Sequence, residues 1–468
     1  MSSVLPATRF RELTRHSGRA GLSVNAVKDS VVDLARDPAI VVDDRNSGEF
    51  HDSSEPRKFV AETTSQRCVP VRAVWTAILA SLMVACAAVP VFAGGGNRPR
   101  VIEVSNGDDS FSGKLIAKTS DSVCLMDEFG SLKHLHLSSL KSFRVVASEY
   151  NGASTAAFRQ KLLKEIPTGY EVATSAHYVV AGTKGRADAY AELFEEIYRQ
   201  VDTFYSVRGF DTTRPEVPLI AIVFATQEEF QKYCEKDAMP WSKDLRGYYS
   251  LNTNRVALYD DASLLKRPRT ASMEETIVAA DRVAGNRSAL SKALASVSGQ
   301  TADTIIHETT HQVGFNIGIH RRIGQTPTWV LEGLATVLEP PGLRTRGKAG
   351  SKSGNSTINA ERMNWFNTEY EGRRQPGDLA KLIATDDMFK NQTLDAYSLS
   401  WAFTWFMTEN PARARKFVDY LQTLAERDPL QEYTPEQRLK DFQKAFGDIA
   451  KLEVEFIRSL DRVDTNTK

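Results

Sequence analysis

Two histidines with a glutamate between them are the residues whose spacing most clearly indicates chemistry. The segment Thr301 to Phe315 contains His307, Glu308 and His311 in the order His-Glu-Thr-Thr-His. On a helix, side chains four positions apart lie on one face, so both imidazoles can bind one ion from adjacent turns. Zinc accepts such nitrogen ligands and keeps one position open to water in catalytic sites. Glu308 would then project beside the metal, where it can accept a proton from that water.

A catalytic zinc site needs a third protein ligand, and a candidate lies on the next predicted helix. Pro327 or Thr328 is expected to begin this helix, whose apolar residues surround Glu332 in its first turn. A carboxylate in such a run would be costly to bury unless it is paired or bound to a cation. Glu339 is the first alternative ligand, and His320 is the second.

Simpler interpretations of these residues stay open. The two histidines can form a hydrogen-bonded polar patch on a core helix, without any metal. Glu332 can stabilise the N-terminus of its helix through its charge alone. The sequence does not decide between these interpretations and a metal site.

The two segments together resemble the motifs of the gluzincin metallopeptidases, the peptidase MA-like group. Such proteins combine a His-Glu-x-x-His helix with a later Trp-x-x-Glu-Gly-x-Ala motif, and here the second motif is Trp329 to Ala335. The resemblance covers residues 150–460 and implies that Glu308 is the catalytic base. It also implies a zinc site made of three residues, which are His307, His311 and Glu332.

The chain departs from the family pattern at one position, and the resemblance implies one further catalytic role. Thermolysin-like members have an aspartate four residues after the glutamate ligand, where it supports a ligand histidine, but this chain has Thr336 there. Asp303, one turn before the first histidine, is the predicted replacement. Gluzincins usually supply a tyrosine or histidine that hydrogen-bonds the substrate oxyanion. Tyr397 is the candidate for this role, and Tyr248 and Tyr249 compete with it.

The family fold implies a mixed sheet before the zinc helix and a helical half after it. Hydrophobic patterning predicts a helix at Ala187–Tyr205. It also predicts an apolar helix at Ala396–Phe406 and amphipathic closing helices at Arg413–Leu424 and Pro435–Leu460. It predicts strands at Tyr178–Ala181, Pro218–Phe224, Gly247–Tyr249 and Arg255–Tyr259. The strand at Arg255–Tyr259 is the expected edge of the sheet, able to pair with an extended peptide through its main chain.

Residues 99–147 predict a separate small β unit. Five short strands with tight turns suggest a barrel like an SH3 fold. The strands are predicted at Val101–Val104, Phe111–Lys118, Ser122–Met126, Leu132–Leu137 and Ser142–Val146. His134 and His136 would point to one face, where a surface strand is the simpler interpretation and a metal site the alternative.

The composition excludes several classes of protein. The chain has 468 residues, of which 41% are hydrophobic and 25% charged, so it is not wholly disordered, collagen-like or multi-spanning. Lys+Arg and Asp+Glu both number 59, so no overall basic charge favours nucleic acid. Four cysteines are too few for a disulfide scaffold or a Cys-rich zinc module. Whether Cys124 and Cys234 pair is left open.

The N-terminal region suggests processing or anchoring rather than a folded domain. Residues 1–72 are polar and are expected to be disordered or to follow a mis-assigned start. Residues 73–93 are uncharged and are typical of a signal peptide or a membrane anchor, with a buried core helix as the simpler alternative. Signal peptide and anchor both place the rest of the chain outside the cytoplasm. Residues 261–300 are predicted to be an insertion.

The sequence therefore predicts an α+β protein with a zincin-like domain at 150–462. The expected activity is that of an extracytoplasmic zinc peptidase, secreted, periplasmic or membrane-anchored, acting on peptides or proteins. One alternative is a membrane-tethered, non-catalytic interaction protein on a metallopeptidase scaffold. Another is a zinc hydrolase of non-peptide amides.

Overall fold

The computed structural model describes residues 101–260, 299–340 and 357–467. The predictions for residues 1–72 and 73–93, and nearly all of the predicted insertion at 261–300, lie outside the described residues. Within the described ranges, no helix combines the length and apolar character needed to cross a bilayer. Two compact units are present, divided in the sequence between Ala153 and Ser154.

The first unit is an antiparallel sheet of five strands in the order β4-β3-β2-β1-β5. Its strands are β1 (Val101–Ser105), β2 (Ser110–Lys118), β3 (Ser122–Met126), β4 (Leu132–His136) and β5 (Ser142–Ala147). The five predicted strands are confirmed, with each end within one residue of its prediction. The predicted barrel is wrong, because β4 and β5 are the opposite edges of the sheet and do not pair with each other.

The histidines of this unit lie on the surface. His134 and His136 are both exposed on β4. Among the described residues, neither belongs to a group of three side chains that could hold a metal ion. The two histidines are therefore residues of an exposed surface strand, as in the simpler interpretation. Cys124 and Cys234 are both buried, and no disulfide bond joins them.

The second unit begins with a mixed sheet in the order β6-β7-β8-β10-β9. Its strands are β6 (Tyr170–Thr174), β7 (Tyr178–Thr183), β8 (Leu219–Phe224), β9 (Gly247–Ser250) and β10 (Arg255–Tyr259). Strands β7, β8 and β10 are parallel, whereas β6 and β9 are antiparallel edge strands. The prediction of β10 as the edge is wrong, because β10 pairs with β8 on one side and with β9 on the other.

Four helices accompany this sheet. They are α1 (Thr155–Glu165), α2 (Ala187–Ser206), α3 (Gln227–Lys236) and α4 (Gly299–Asn316). The predicted helix at Ala187–Tyr205 is confirmed as α2, whose apolar positions are buried against the sheet and α4. Thr226 caps α3 by accepting a hydrogen bond from the backbone N–H of Glu229. The periodicity did not predict α1 or β6.

The described residues from Thr328 onward are mostly helical. The helices are α5 (Thr328–Leu338), α6 (Ala360–Trp365), α7 (Asp378–Ala384), α8 (Asp387–Asn391), α9 (Thr393–Glu409), α10 (Pro411–Glu426), α11 (Pro435–Phe446) and α12 (Ile449–Thr467). The apolar run at 396–406 was predicted to be helical because it is longer than a typical strand. Helix α9 confirms this prediction. Trp329 of α5 is fully buried and packs on the rings of Phe403, Tyr420 and Phe442. This aromatic core fixes α5 in the helical half.

Candidate metal site

Three side chains from two helices converge at one buried point. His307 and His311 lie on α4, and Glu332 lies on α5. The Nε2 atoms of the two histidines are 3.1 Å apart, and Glu332 Oε2 is 3.3 Å from Nε2 of His307 and 3.7 Å from Nε2 of His311. All three residues are buried. Within the described residues, they form the group of His, Cys, Asp and Glu side chains that could hold a metal ion.

Hydrogen bonds attach the end of α4 to the sheet. Gln312, which follows His311 directly, donates from Nε2 to the carbonyl oxygens of Ile220 and Asn254 at 3.0 and 2.9 Å. Asn316, one turn later, donates from Nδ2 to Asn254 Oδ1 at 2.8 Å. Because one side of α4 is attached to the sheet, its histidine side faces α5. The sequence predicted only the two strands on either side of Asn254, and gave no signal for these contacts.

The start of α5 is held from the C-terminal helices. The backbone N–H of Thr328 donates to Asp386 Oδ1 at 3.0 Å, and Arg438 pairs with both oxygens of Asp386. Because α5 begins at Thr328, Glu332 lies in the second turn of this helix and not in the first turn as predicted. Its carboxylate is directed to the histidines, so a role confined to the helix N-terminus does not describe it.

A second carboxylate approaches His307 from the other side of the ring. Glu339 Oε1 lies 2.9 Å from His307 Nδ1, and Asn359 Nδ2 donates to Glu339 Oε2 at 2.5 Å. Glu339 contacts the nitrogen that faces away from Glu332, so it is not part of the three-residue cluster. The partner of His307 Nδ1 is therefore Glu339, whereas the sequence predicted Asp303.

The carboxylates and imidazoles shift each other's protonation. Burial alone would lower the pKa of His307, but its hydrogen bonds to Glu332 and Glu339 and the charge of Glu308 raise that pKa well above the usual value. Burial would raise the pKa of Glu332, yet the two histidines hold it well below the usual range. Burial lowers the pKa of His311. In the metal-free site, the raised pKa favours the protonated form of His307, which lies between two carboxylates.

One comparison with known families covers this part of the chain. Residues 301–431 match the family described as "Protein of unknown function (DUF1570)". The matched residues include the ligand cluster, Glu308 and Tyr397, so the chain is similar to this family where the candidate site lies. A comparison with curated proteins finds no match.

The two residues predicted for catalysis are both buried. Glu308 has no exposed surface and lies beside His307 in the sequence of α4. Tyr397 lies on α9, where its ring packs against Phe389 at 5.5 Å and under the guanidinium of Arg362 at 5.2 Å. The roles of Glu308 as base and of Tyr397 as oxyanion donor stay predictions.

The remaining candidates have other partners. Tyr248 donates its hydroxyl to Asp237 at 2.9 Å, and Tyr249 donates to Asn254 at 2.8 Å. His320 is buried, and its ring packs on Phe315 at 5.3 Å, outside the three-residue cluster. Burial, followed by the charge of His311, lowers the pKa of His320 to about 3.

Proposed function

We propose that the protein is a zinc-dependent peptidase with a zincin-like fold. The observation that carries the proposal is the convergence of two imidazole nitrogens and one carboxylate oxygen, from His307, His311 and Glu332. Zinc–ligand bonds of about 2.0–2.1 Å in a tetrahedron separate neighbouring ligand atoms by about 3.3 Å. The three separations of 3.1, 3.3 and 3.7 Å lie near that value. The mixed donor set suits zinc better than magnesium or calcium, which prefer oxygen.

Glu308 is the proposed general base. A zinc ion in this site would polarise the scissile carbonyl and lower the pKa of a water molecule. Glu308 would accept the proton of the attacking water and pass it to the leaving amine. The burial of its carboxylate limits screening by solvent, which strengthens its interaction with a nearby proton. Tyr397 is the proposed hydrogen-bond donor to the developing negative charge on the substrate oxygen.

An extended peptide is the proposed substrate. The edge strand β9 pairs with β10 on one side only in the described sheet, and its four residues are buried. We propose that a bound peptide pairs with the other side of β9 through main-chain hydrogen bonds. Gly247 of β9 lies close to α4, since a Cβ atom there would approach Thr304 Cγ2 to 2.8 Å. Thr304 lies one turn before His307 and Glu308. An extended chain along β9 would thus run beside the start of the proposed catalytic helix.

We also propose an extracytoplasmic location. Its support is the uncharged segment 73–93, which follows Arg67 and Arg72 and precedes three glycines. This segment would act as a signal peptide or as a tether in the membrane. The balanced charge of the chain gives no support for a nucleic-acid partner.

The rival proposal is a tethered interaction protein without activity. The glutamate beside the first ligand argues against it, because a binding module has no need of a base there. A hydrolase of non-peptide amides would use the same residues and differs only in substrate.

Zinc content and peptide cleavage, measured on the full chain, test these proposals together. Wild type and Glu308→Gln should both bind about one zinc ion per chain. Cleavage of a mixed peptide library, followed by mass spectrometry, should fall by about 10²–10⁴-fold in Glu308→Gln. Undiminished cleavage by that variant would exclude the mechanism. If zinc-loaded wild type hydrolyses non-peptide amides but no peptides, the result would favour the non-peptide hydrolase. If it hydrolyses neither peptides nor non-peptide amides, the result would favour the interaction protein.

A further inference from the structure

We infer that Glu339 is a positioning residue, which orients His307 for metal binding and is itself held by Asn359. The inference deepens the proposed function, because it assumes that the cluster of His307, His311 and Glu332 binds zinc. It assigns a role to two residues that lie outside this cluster. It also explains how the site functions with Thr336 in place of an aspartate.

The contact with Glu339 selects one form of the His307 ring. A carboxylate can only accept a hydrogen bond, so the Nδ1 atom, 2.9 Å from Glu339 Oε1, must carry the hydrogen. In the neutral ring, Nε2 then keeps its lone pair. This nitrogen faces Glu332 Oε2 at 3.3 Å and His311 Nε2 at 3.1 Å. Glu339 thus directs the metal-binding nitrogen of His307 toward the other two ligands.

Asn359 fixes the carboxylate in turn. It is the N-cap of α6, where its Oδ1 accepts the backbone N–H of Arg362 at 3.2 Å. Because this backbone group is a donor, the Asn359 oxygen must face it, and Nδ2 must face the opposite way. Nδ2 donates to Glu339 Oε2 at 2.5 Å and to the carbonyl of Thr336 at 3.3 Å. The cap of α6 therefore sets the orientation of Glu339.

Thr336 itself is not available for this role. Its hydroxyl donates to the carbonyl of Glu332 at 2.7 Å, within its own helix. Glu339 comes three residues after Thr336, a spacing that places both residues on the same helix face. Its side chain is one methylene longer than aspartate, which extends its reach to His307.

The zinc affinity of full-length Glu339→Gln tests the inference. Competition with a chromophoric chelator gives the dissociation constant, and we expect it to rise by about 10–100-fold. Glutamine keeps the size of the side chain but removes the charge that holds the Nδ1 hydrogen. Glu361→Gln is the matched control, because the side chain of Glu361 is 84% exposed near the start of α6. Its affinity should stay within about twofold of wild type, as expected for an exposed charge.

Two results would overturn the inference while leaving the proposed function intact. One is a Glu339→Gln affinity within about twofold of wild type, which would show that Nδ1 needs no carboxylate. The other is a loss as complete as in Glu332→Gln, which would make Glu339 a ligand. Cobalt absorption separates the cases, since a positioning variant keeps the intensity of four-coordinate cobalt and shifts its bands. Wild type that binds no zinc would instead overturn the proposed function itself.

Asn359→Ser tests the second part of the inference. Serine is an equally good N-cap, so α6 should keep its start, but serine is too short to reach Glu339. We expect zinc to bind several-fold more weakly, with the urea-unfolding midpoint close to that of wild type. Unchanged zinc affinity would remove Asn359 from the arrangement.

Discussion

His307 Nε2 and Glu332 Oε2 lie 3.3 Å apart and join α4 to α5 at a buried point. A buried carboxylate is stable only beside a compensating positive charge. In the metal-free protein His307 can supply that charge, because its hydrogen bonds to Glu332 and Glu339 outweigh burial and raise its pKa, which favours the protonated ring. A bound divalent ion would replace the proton. Because this pair links two helices, metal binding and stability should be coupled.

Removing either type of ligand should abolish metal binding. We expect His311→Ala and Glu332→Gln to lose the zinc ion that wild type binds after dialysis, as measured by elemental analysis. Zinc should raise the thermal unfolding temperature of wild type but not of these variants. His134→Ala is the control, since His134 is exposed on β4 and lies outside the cluster. Full zinc content in Glu332→Gln would refute the ligand set.

The zinc affinity should still depend on pH at pH values above the usual pKa of histidine. Zinc binds neutral imidazole and must displace the proton of His307. The opposing effect of burial is outweighed by the hydrogen bonds to Glu332 and Glu339, so the pKa of His307 lies well above 6.5. Affinity should therefore fall about tenfold per pH unit as pH decreases through and below that raised pKa, including the interval above 6.5. Chelator competition between pH 6 and 9 measures this, and a plateau reached already at pH 6.5 would contradict it.

The sequence was most informative where chemistry follows from local spacing. The four-residue spacing of His307 and His311 defines one helix face, and Glu332 stood out as an acid in an apolar run. The partner of His307 was not predictable in this way, because Glu339 and Asn359 reach the site through tertiary packing.

The same limit applies to the sheets. Alternating patterns located the strands, but they contain no information about which strand lies next to which. The prediction for β10 was therefore wrong, since the chain places β9 outside it although β9 comes earlier. The barrel prediction failed for the related reason that five suitable strands can also form an open sheet.

Gly333 should be intolerant of any side chain, because α5 and α9 are in close contact there. A Cβ atom at this position would collide with Thr404 Oγ1 and lie 2.9 Å from the carbonyl oxygen of Ser400. Alanine normally favours a helix over glycine by about 1 kcal/mol, but overpacking against backbone costs about 1–3 kcal/mol. We expect a net loss of stability and weaker zinc binding, since Glu332 is adjacent.

Urea unfolding of Gly333→Ala against Gly372→Ala measures this effect. Gly372 has no atom within 4 Å of its would-be Cβ, so its substitution should be neutral or slightly stabilising. Equal stability of the two variants would show that α5 and α9 can separate at little cost.

His320 should make the protein less stable in acid. Burial, followed by the charge of His311, lowers its pKa to about 3, whereas in the unfolded chain histidine has a pKa of about 6.5. Between these values the unfolded state binds more protons, so the contribution of neutral His320 is complete above about 6.5 and is lost as pH falls. The loss is at most about 1.4 kcal/mol per pH unit. Between pH 6.5 and 5, wild type should therefore lose up to about 2 kcal/mol more than His320→Gln.

Urea unfolding at pH 7.5 and 5.0, with chelator present throughout, isolates this contribution. The chelator removes the metal, and His307, His311 and Glu332 are present in both proteins, so the comparison removes the part of their titration that does not depend on His320. Glutamine is polar and does not titrate, so its own stability should not change through protonation at this position. Equal losses for wild type and His320→Gln would mean that His320 is protonated as readily in the folded state as in the unfolded chain. That result would contradict its burial against Phe315 as the cause of the lowered pKa.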